Sequence, residues 1–194
     1  MRSMTSDEAR KWCSQDAVRL SLTRDEVLRY KSAGKHKLFV TAPQEHRRII
    51  VLARTILLFR GEADFSGGLL WLRRWDIGSP QLVRVGWRIL EDIRRAHGES
   101  RSLEVAPAQL FRDDELVELH AFLVQAIAFG WVADFIPSTG GFFAHFKDNR
   151  QVCLFADSSE TLKEMRTSFR DWKPTDQDPM VAKMELIRKA RPEK

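Results

Sequence analysis

Three short segments rich in β-forming residues follow one another in the C-terminal half of the chain. They cover residues 131–136, 142–147 and 151–156, and only five and three turn-forming residues separate them. Connections this short join strands that run in opposite directions. The pattern therefore predicts a three-stranded antiparallel meander, against which the other elements must pack.

Helices are predicted from start signals and from apolar residues that recur every three or four positions. Thr5 with Glu8, and Thr23 with Glu26, have the spacing of a capping box, in which each side chain hydrogen-bonds the backbone amide of the other residue. These two pairs predict two N-terminal helices. The predicted helices cover residues 5–14, 23–32, 44–59, 80–97, 113–129 and 157–172.

Two earlier segments, residues 37–41 and 69–77, have the composition of strands. Each is rich in β-forming residues and is bounded by turn residues. We expect one or both of them to join the meander. The predicted fold class is therefore α+β, with a small, mostly antiparallel sheet packed by several helices.

Length and composition indicate one main folded unit. The chain has 194 residues, of which 43% are hydrophobic and 30% are charged. These values exclude a fully disordered chain, a collagen-like repeat and a membrane-spanning protein. We predict a single domain over residues 1–172, with N-terminal helices over residues 5–32 as an appendage. Residues 173–194 are predicted to be a polar linker followed by a short C-terminal helix or tail.

Cysteine and histidine spacing does not indicate a metal or cofactor site. The two cysteines, Cys13 and Cys153, lie far apart in the sequence, and no pair of histidines has metal-ligand spacing. No glycine motif of the phosphate-binding type is present. Because the N-terminal segment lacks an apolar stretch, we expect a cytoplasmic protein with reduced thiols and no cofactor. No motif is dense enough to indicate a family.

The end of the strand over residues 69–77 carries the first candidate binding residues. Arg73 and Arg74 adjoin Trp75, and two arginines beside an indole can hold an anion or stack on a base. The competing interpretation is structural. In that interpretation the arginines pair with acidic residues of the helix over residues 113–129.

Arg84, Arg88 and Arg95 are the second candidate group. They lie near one another on one face of the helix predicted over residues 80–97, where each can neutralise a phosphate charge. The competing interpretation is a solvated helix face. The formal net charge of +5 is too small to indicate nucleic-acid binding by itself. It is unevenly distributed, because residues 44–101 are net positive and residues 102–130 are net negative.

Two histidines and one phenylalanine complete the candidates. His145, on the strand over residues 142–147, precedes Asp148, and the two are either an acid–base pair or ordinary strand and turn residues. His120 is expected to be a hydrogen-bonded histidine in or at the edge of the core. Phe143 is expected to be exposed if helices cover only one face of the sheet, and an exposed aromatic ring marks a contact surface.

The sequence therefore favours a non-catalytic cytoplasmic interaction protein, an adaptor or accessory subunit, which binds another protein or itself. The alternative is a nucleic-acid-binding accessory factor that uses Arg73, Arg74, Arg84 and Arg88. A third hypothesis is a hydrolase-type enzyme that uses His145 or His120. That hypothesis requires a cavity in which one of these histidines meets an acidic residue.

Overall fold

A computed structural model gives the architecture of the chain, which is mixed α+β as predicted. It describes residues 1–15, 20–22, 28–30, 36–75, 80–148, 150–182 and 184. The strands are β1 (Arg2–Met4), β2 (Leu20–Leu22), β3 (Leu28–Tyr30), β4 (Lys37–Thr41), β5 (Gly68–Arg74), β6 (Ala108–Phe111), β7 (Val132–Pro137), β8 (Phe142–Phe146) and β9 (Gln151–Ala156). The helices are α1 (Ser6–Cys13), α2 (His46–Leu57), α3 (Pro80–Ala96), α4 (Leu116–Phe129) and α5 (Ser159–Ser168). None of the helices in the described part of the chain has the length and apolar composition needed to cross a membrane.

Seven strands form one antiparallel sheet in the order β1-β6-β5-β7-β8-β9-β4. The predicted meander is its β7-β8-β9 part. Both earlier strand segments join it, because β5 pairs with β7 and β4 pairs with β9. The sheet is larger than predicted, since β6 and β1 extend it beyond β5. The β2 and β3 strands form a separate two-stranded hairpin.

One face of the sheet carries the larger hydrophobic core. Side chains on a strand alternate between the two faces, and Phe142, Ala144 and Phe146 of β8 all point to this side. They pack in one buried cluster with Leu52 of α2 and Phe122 of α4. Residues of α3 and α5 complete the same cluster. The helices are therefore held to the sheet mainly by the burial of apolar surface.

The N-terminal part of the chain covers the opposite face. Cys13 of α1 lies in a second buried cluster with Trp71 and Phe143, and Tyr30 of β3 packs against it. Phe143 is 1% exposed, and its ring centroid lies 4.5 Å from that of Phe155 and 5.6 Å from that of Tyr30. The expectation that Phe143 is exposed is therefore wrong. It assumed a sheet with one open face, and the N-terminal segment closes that face.

The two predicted N-terminal helices have different outcomes. α1 confirms the first, and Thr5 and Glu8 form its capping box. The second, predicted over residues 23–32, is wrong where the structure describes it, because residues 28–30 form strand β3. The capping signal at Thr23 lies outside the described residues.

The segment after α5 runs along the edge of the sheet. Phe39 of β4 and Thr175 exchange two backbone hydrogen bonds, of 2.8 and 2.9 Å. Lys147 donates a 2.7 Å hydrogen bond to Asp178, and this contact lowers the pKa of the Asp178 carboxyl. Residues 179–182 are helical, in agreement with the helix start predicted at Asp178. The edge of β4 is thus partly paired by the chain itself.

Two arginines fix the connection between α3 and β6. Arg94 is fully buried, forms an ion pair with Glu91 at 2.6 Å, and donates hydrogen bonds to three backbone carbonyls of the connection. Arg101 forms an ion pair with Glu99 at 2.7 Å and donates a 3.0 Å hydrogen bond to the carbonyl of Ser3 in β1. These contacts tie the loop to the edge of the sheet.

The Glu99 carboxylate makes the stability of this connection depend on pH. Hydrogen bonds from Arg101 lower the pKa of Glu99 from 4.5 to about 2. A carboxyl with a lower pKa in the folded state stabilises the fold above its unfolded pKa, and this contribution is lost as the pH falls through the folded value. We expect Glu99→Gln to destabilise the protein at neutral pH, and the difference from wild type to shrink between pH 4.5 and about 2. Urea denaturation at several pH values measures this difference. A difference that is the same at every pH contradicts the assignment.

Gly67 is required where the chain enters β5. Its φ is +87°, and an added Cβ would lie 2.2 Å from the carbonyl oxygen of Phe111. We expect Gly67→Ala to lower the free energy of unfolding by more than about 2 kcal/mol, because conformational strain and a backbone clash act together. Gly98→Ala is the matched control, since Gly98 has φ +81° and no atom within 4 Å of an added Cβ. Its cost should be the strain alone, about 1 kcal/mol. Urea denaturation measures the free energy of unfolding of both variants. Equal losses in Gly67→Ala and Gly98→Ala would show that the carbonyl of Phe111 does not exclude a side chain at residue 67.

Candidate functional site

The structure divides the candidate residues between two places. Arg73 and His145 meet at a buried carboxylate on the second face of the sheet. Arg84 and Arg88 lie on the outer surface of α3. Three candidates lie elsewhere. Trp75 contacts α3, and Arg74 forms an ion pair at the surface. Phe143 is buried in the core.

A buried carboxylate on β7 joins the first pair, and we call Arg73, Asp134 and His145 the Asp134 cluster. Asp134 accepts a 2.8 Å hydrogen bond from Arg73 Nε and another of 2.8 Å from His145 Nδ1. The Asp134 side chain is 5% exposed, whereas those of Arg73 and His145 are 16% and 30% exposed. The guanidinium of Arg73 also lies 3.4 Å from the centre of the Trp71 ring. A carboxylate this buried requires such partners, since an unpaired charge there is costly.

Two expectations about ion pairs are corrected here. His145 pairs with Asp134 and not with Asp148, because the register of β7 and β8 places Asp134 directly opposite His145. Asp148 instead accepts a 2.5 Å hydrogen bond from Arg74. Neither Arg73 nor Arg74 forms a described ion pair with an acidic residue of α4. The structural interpretation correctly predicted that carboxylates bind these arginines. The carboxylates are those of Asp134 on β7 and of Asp148 after β8.

The chemistry available to the Asp134 cluster is limited. Because Asp134 holds Nδ1–H of His145, Nε2 of that ring is the nitrogen able to accept a proton. Cys153 lies opposite His145 in the register of β8 and β9, but burial raises the pKa of its thiol to about 12. Burial likewise raises the pKa of Cys13 to about 12. Neither thiol is thus an activated nucleophile.

The hydrolase hypothesis requires a cavity at a histidine that meets an acid. His145 meets Asp134, but none of the cavities whose lining is described includes His145. The half-buried His120 lies with its Nε2 3.1 Å from the carbonyl oxygen of Ile50, which confirms a hydrogen-bonded histidine at the edge of the core. The described residues also contain no group of three His, Cys, Asp or Glu side chains placed to hold a metal ion.

A cavity of about 560 Å³ opens on α3, and its described lining consists of Arg84, Val85, Trp87 and Arg88. We call it the α3 cleft. Both arginines are exposed, and neither forms an ion pair with another described residue. The ring of Trp75 lies 5.8 Å from that of Trp87. Trp75 of the first candidate group is thus brought to the second group by folding.

The orientation of α3 is fixed by a glycine on its inner side. An added Cβ at Gly86 would lie 3.0 Å from the ring of Trp131 and 3.2 Å from that of Phe129. The two rings stack on each other with centroids 5.6 Å apart. Since Gly86 faces these rings, Arg84 and Arg88 are directed away from the core.

Exposed apolar residues on α2 and α4 were not predicted from the sequence. Ile50 and Val51 are 37% and 55% exposed, and Val117 of α4 is 76% exposed. The His120 hydrogen bond to Ile50 brings the two helices together at this point, and Val117 lies one turn before His120 on the same side of α4. We call Ile50, Val51 and Val117 the α2–α4 face.

An excess of apolar residues on α2 is the sequence signal that indicates these exposed side chains. Residues 49–52 are all apolar, and four consecutive helical residues cannot all face one core. Ile49 and Leu52 are buried, which leaves Ile50 and Val51 at the surface.

Charged residues of opposite sign flank the α2–α4 face. Arg47 and Arg54 lie one turn before and one turn after the exposed pair on α2, and both are exposed. Asp113 and Asp114, also exposed, lie one turn before Val117. The α2 side of the surface is therefore basic, and the start of α4 is acidic.

Comparison with protein families, with curated proteins and with solved structures finds no match to this chain.

Asp134 and Asp148 provide a matched test of the Asp134 cluster. We expect Asp134→Asn to lower the free energy of unfolding by about 3 kcal/mol, because Arg73 loses the partner of its largely buried charge. Asp148→Asn removes the partner of Arg74 in a pair whose side chains are 53% and 46% exposed, and should cost less than about 1 kcal/mol. Urea denaturation of both variants gives the comparison. Equal losses would mean that Asp134 does not organise this part of the sheet.

Proposed function

We propose that this protein is a non-catalytic interaction protein, an adaptor or accessory subunit, which binds another protein chain through the α2–α4 face. The supporting observation is that Ile50 and Val51 of α2 and Val117 of α4 are all exposed, on two helices that the hydrogen bond between His120 and Ile50 joins. Single exposed aliphatic residues are common on monomeric proteins, whereas contiguous ones characterise contact surfaces. A protein partner would remove this apolar surface from water.

The composition around the face favours a protein over a nucleic acid. Protein interfaces combine an apolar centre with a polar rim in which arginine is frequent. Nucleic-acid surfaces depend on cations that are available to phosphates. Of the four arginines in the nucleic-acid hypothesis, Arg73 and Arg74 already pair with carboxylates. Two remain available, on the separate surface of α3.

The flanking charges specify what the partner presents. It needs apolar side chains at its centre, an acidic group against Arg47, and basic groups against Asp113 and Asp114. Arg54 already pairs with Glu62 at 3.8 Å. A second copy of this chain, related by a two-fold axis, meets these conditions because the α2 of each copy then faces the α4 of the other. Self-association is therefore the first interaction to measure.

A double substitution on the face tests the proposal. We expect Val51→Asp with Val117→Asp to weaken self-association or capture of a host protein by at least about tenfold, because a charge must then be desolvated at the contact. Val105→Asp is the matched control, since Val105 is 53% exposed but lies in the loop before β6, outside the face. Light scattering after size exclusion measures self-association. A pull-down from host lysate, with and without nuclease, measures capture of other proteins.

Three results would overturn the proposal. The first is a monomer that captures no nuclease-resistant protein. The second is binding that Val105→Asp weakens as much as the double substitution does. The third is capture that disappears with nuclease treatment, which would support a nucleic-acid role in place of the protein interaction.

A further inference from the structure

We propose that the α3 cleft is a binding site for a small phosphorylated aromatic molecule of the nucleoside phosphate class. This site is separate from the α2–α4 face and does not depend on the function proposed for it.

The two arginines supply paired positive charge at one place. Arg84 and Arg88 are one helical turn apart, so their side chains leave the same side of α3. Each guanidinium presents several N–H donors in a planar fork that matches phosphate oxygens. Asp92 follows Arg88 by one turn, but the two form no ion pair. The charges of both arginines therefore remain available to an anion.

Trp87 adds an aromatic surface within the same cavity. It lies three residues after Arg84 and directly before Arg88, and it contributes to the described lining with both of them. Trp75 packs against it with ring centroids 5.8 Å apart, so the indole is supported from the protein side. An indole next to guanidinium groups suits a ligand that carries both a planar ring and a phosphate.

The size of the cavity favours a small molecule over a polymer. Its volume of about 560 Å³ is within the range of roughly 300–1,000 Å³ that is usual for small-molecule sites. A nucleic acid would require a track of available cations along the surface. Arg73 and Arg74, the other two arginines of the nucleic-acid hypothesis, are bound to Asp134 and Asp148.

Val85 fits the same interpretation. It lines the cavity and is 51% exposed next to the arginines. Phosphate alone makes no use of exposed aliphatic side chains, whereas the ring and sugar of a nucleoside can pack against them. We therefore place the phosphate between Arg84 and Arg88, and the aromatic ring at Trp87.

Isothermal titration calorimetry on the full-length chain with ADP, pyrophosphate and adenosine tests this assignment. We expect ADP to bind, and pyrophosphate and adenosine each to bind at least about tenfold more weakly, because each lacks one of the two groups recognised. Arg84→Gln with Arg88→Gln should weaken ADP binding by at least about tenfold. Arg95→Gln is the matched control, an exposed arginine of the same helix outside the cleft. It should change the ADP dissociation constant by less than about twofold.

Circular dichroism spectra that match the wild type show that the variants fold. Absence of ADP binding up to about 1 mM would overturn the proposal. So would pyrophosphate that binds as well as ADP, since the cleft would then recognise an anion without the ring. Equal loss of ADP binding in Arg95→Gln and in the double variant Arg84→Gln with Arg88→Gln would also overturn it. The effect would then come from the positive charge of the helix as a whole and not from the cleft. Tighter binding of a single-stranded oligonucleotide, with a steep salt dependence, would replace the small-molecule site with a nucleic-acid surface.

Discussion

Burial of the sheet on both faces is the constraint on which the rest of the structure depends. Residues 69–72 of β5 are all buried, although alternate side chains of a strand point to opposite faces. Helices cover one face, and α1 with the β2-β3 hairpin covers the other. Polar groups on the second face must therefore be neutralised within the protein. Asp134 meets this requirement because Arg73 and His145, on the two neighbouring strands, both donate to it.

Elements with strong local signals are predictable from this sequence, whereas features that depend on distant segments are not. The capping box of α1, the meander and helix α3 have local signals, and the structure confirms all three. β6 is only four residues long and its partners β1 and β5 are distant in sequence, so nothing local indicates it. Burial of Phe143 requires the N-terminal segment to fold back over the sheet. The same separation hides the Asp134 cluster, because Arg73 and Asp134 are 61 residues apart.

Arginines in this protein serve different purposes, and net charge does not distinguish them. Arg94 is fully buried and holds backbone carbonyls, and Arg73 neutralises Asp134. Arg84 and Arg88 were identified in the sequence by their helical spacing, and the structure places them at the surface beside a cavity. The difference lies in the carboxylates and carbonyls that folding brings to each guanidinium. Spacing along a helix predicted which arginines are neighbours, but it did not predict which of them are already paired.

The position of β4 in the sheet has a consequence for synthesis of the protein. β4 ends at residue 41, and its partner β9 begins at residue 151. A ribosome that adds about 5–20 residues per second therefore takes roughly 6 to 20 s to produce the partner after β4 has been made. Leu38, Phe39 and Val40, which are buried in the finished sheet, have no strand to pair with during that interval. The nascent chain thus carries an apolar, unpaired strand until β9 has been made, and such a segment is a target for chaperones and a risk for aggregation.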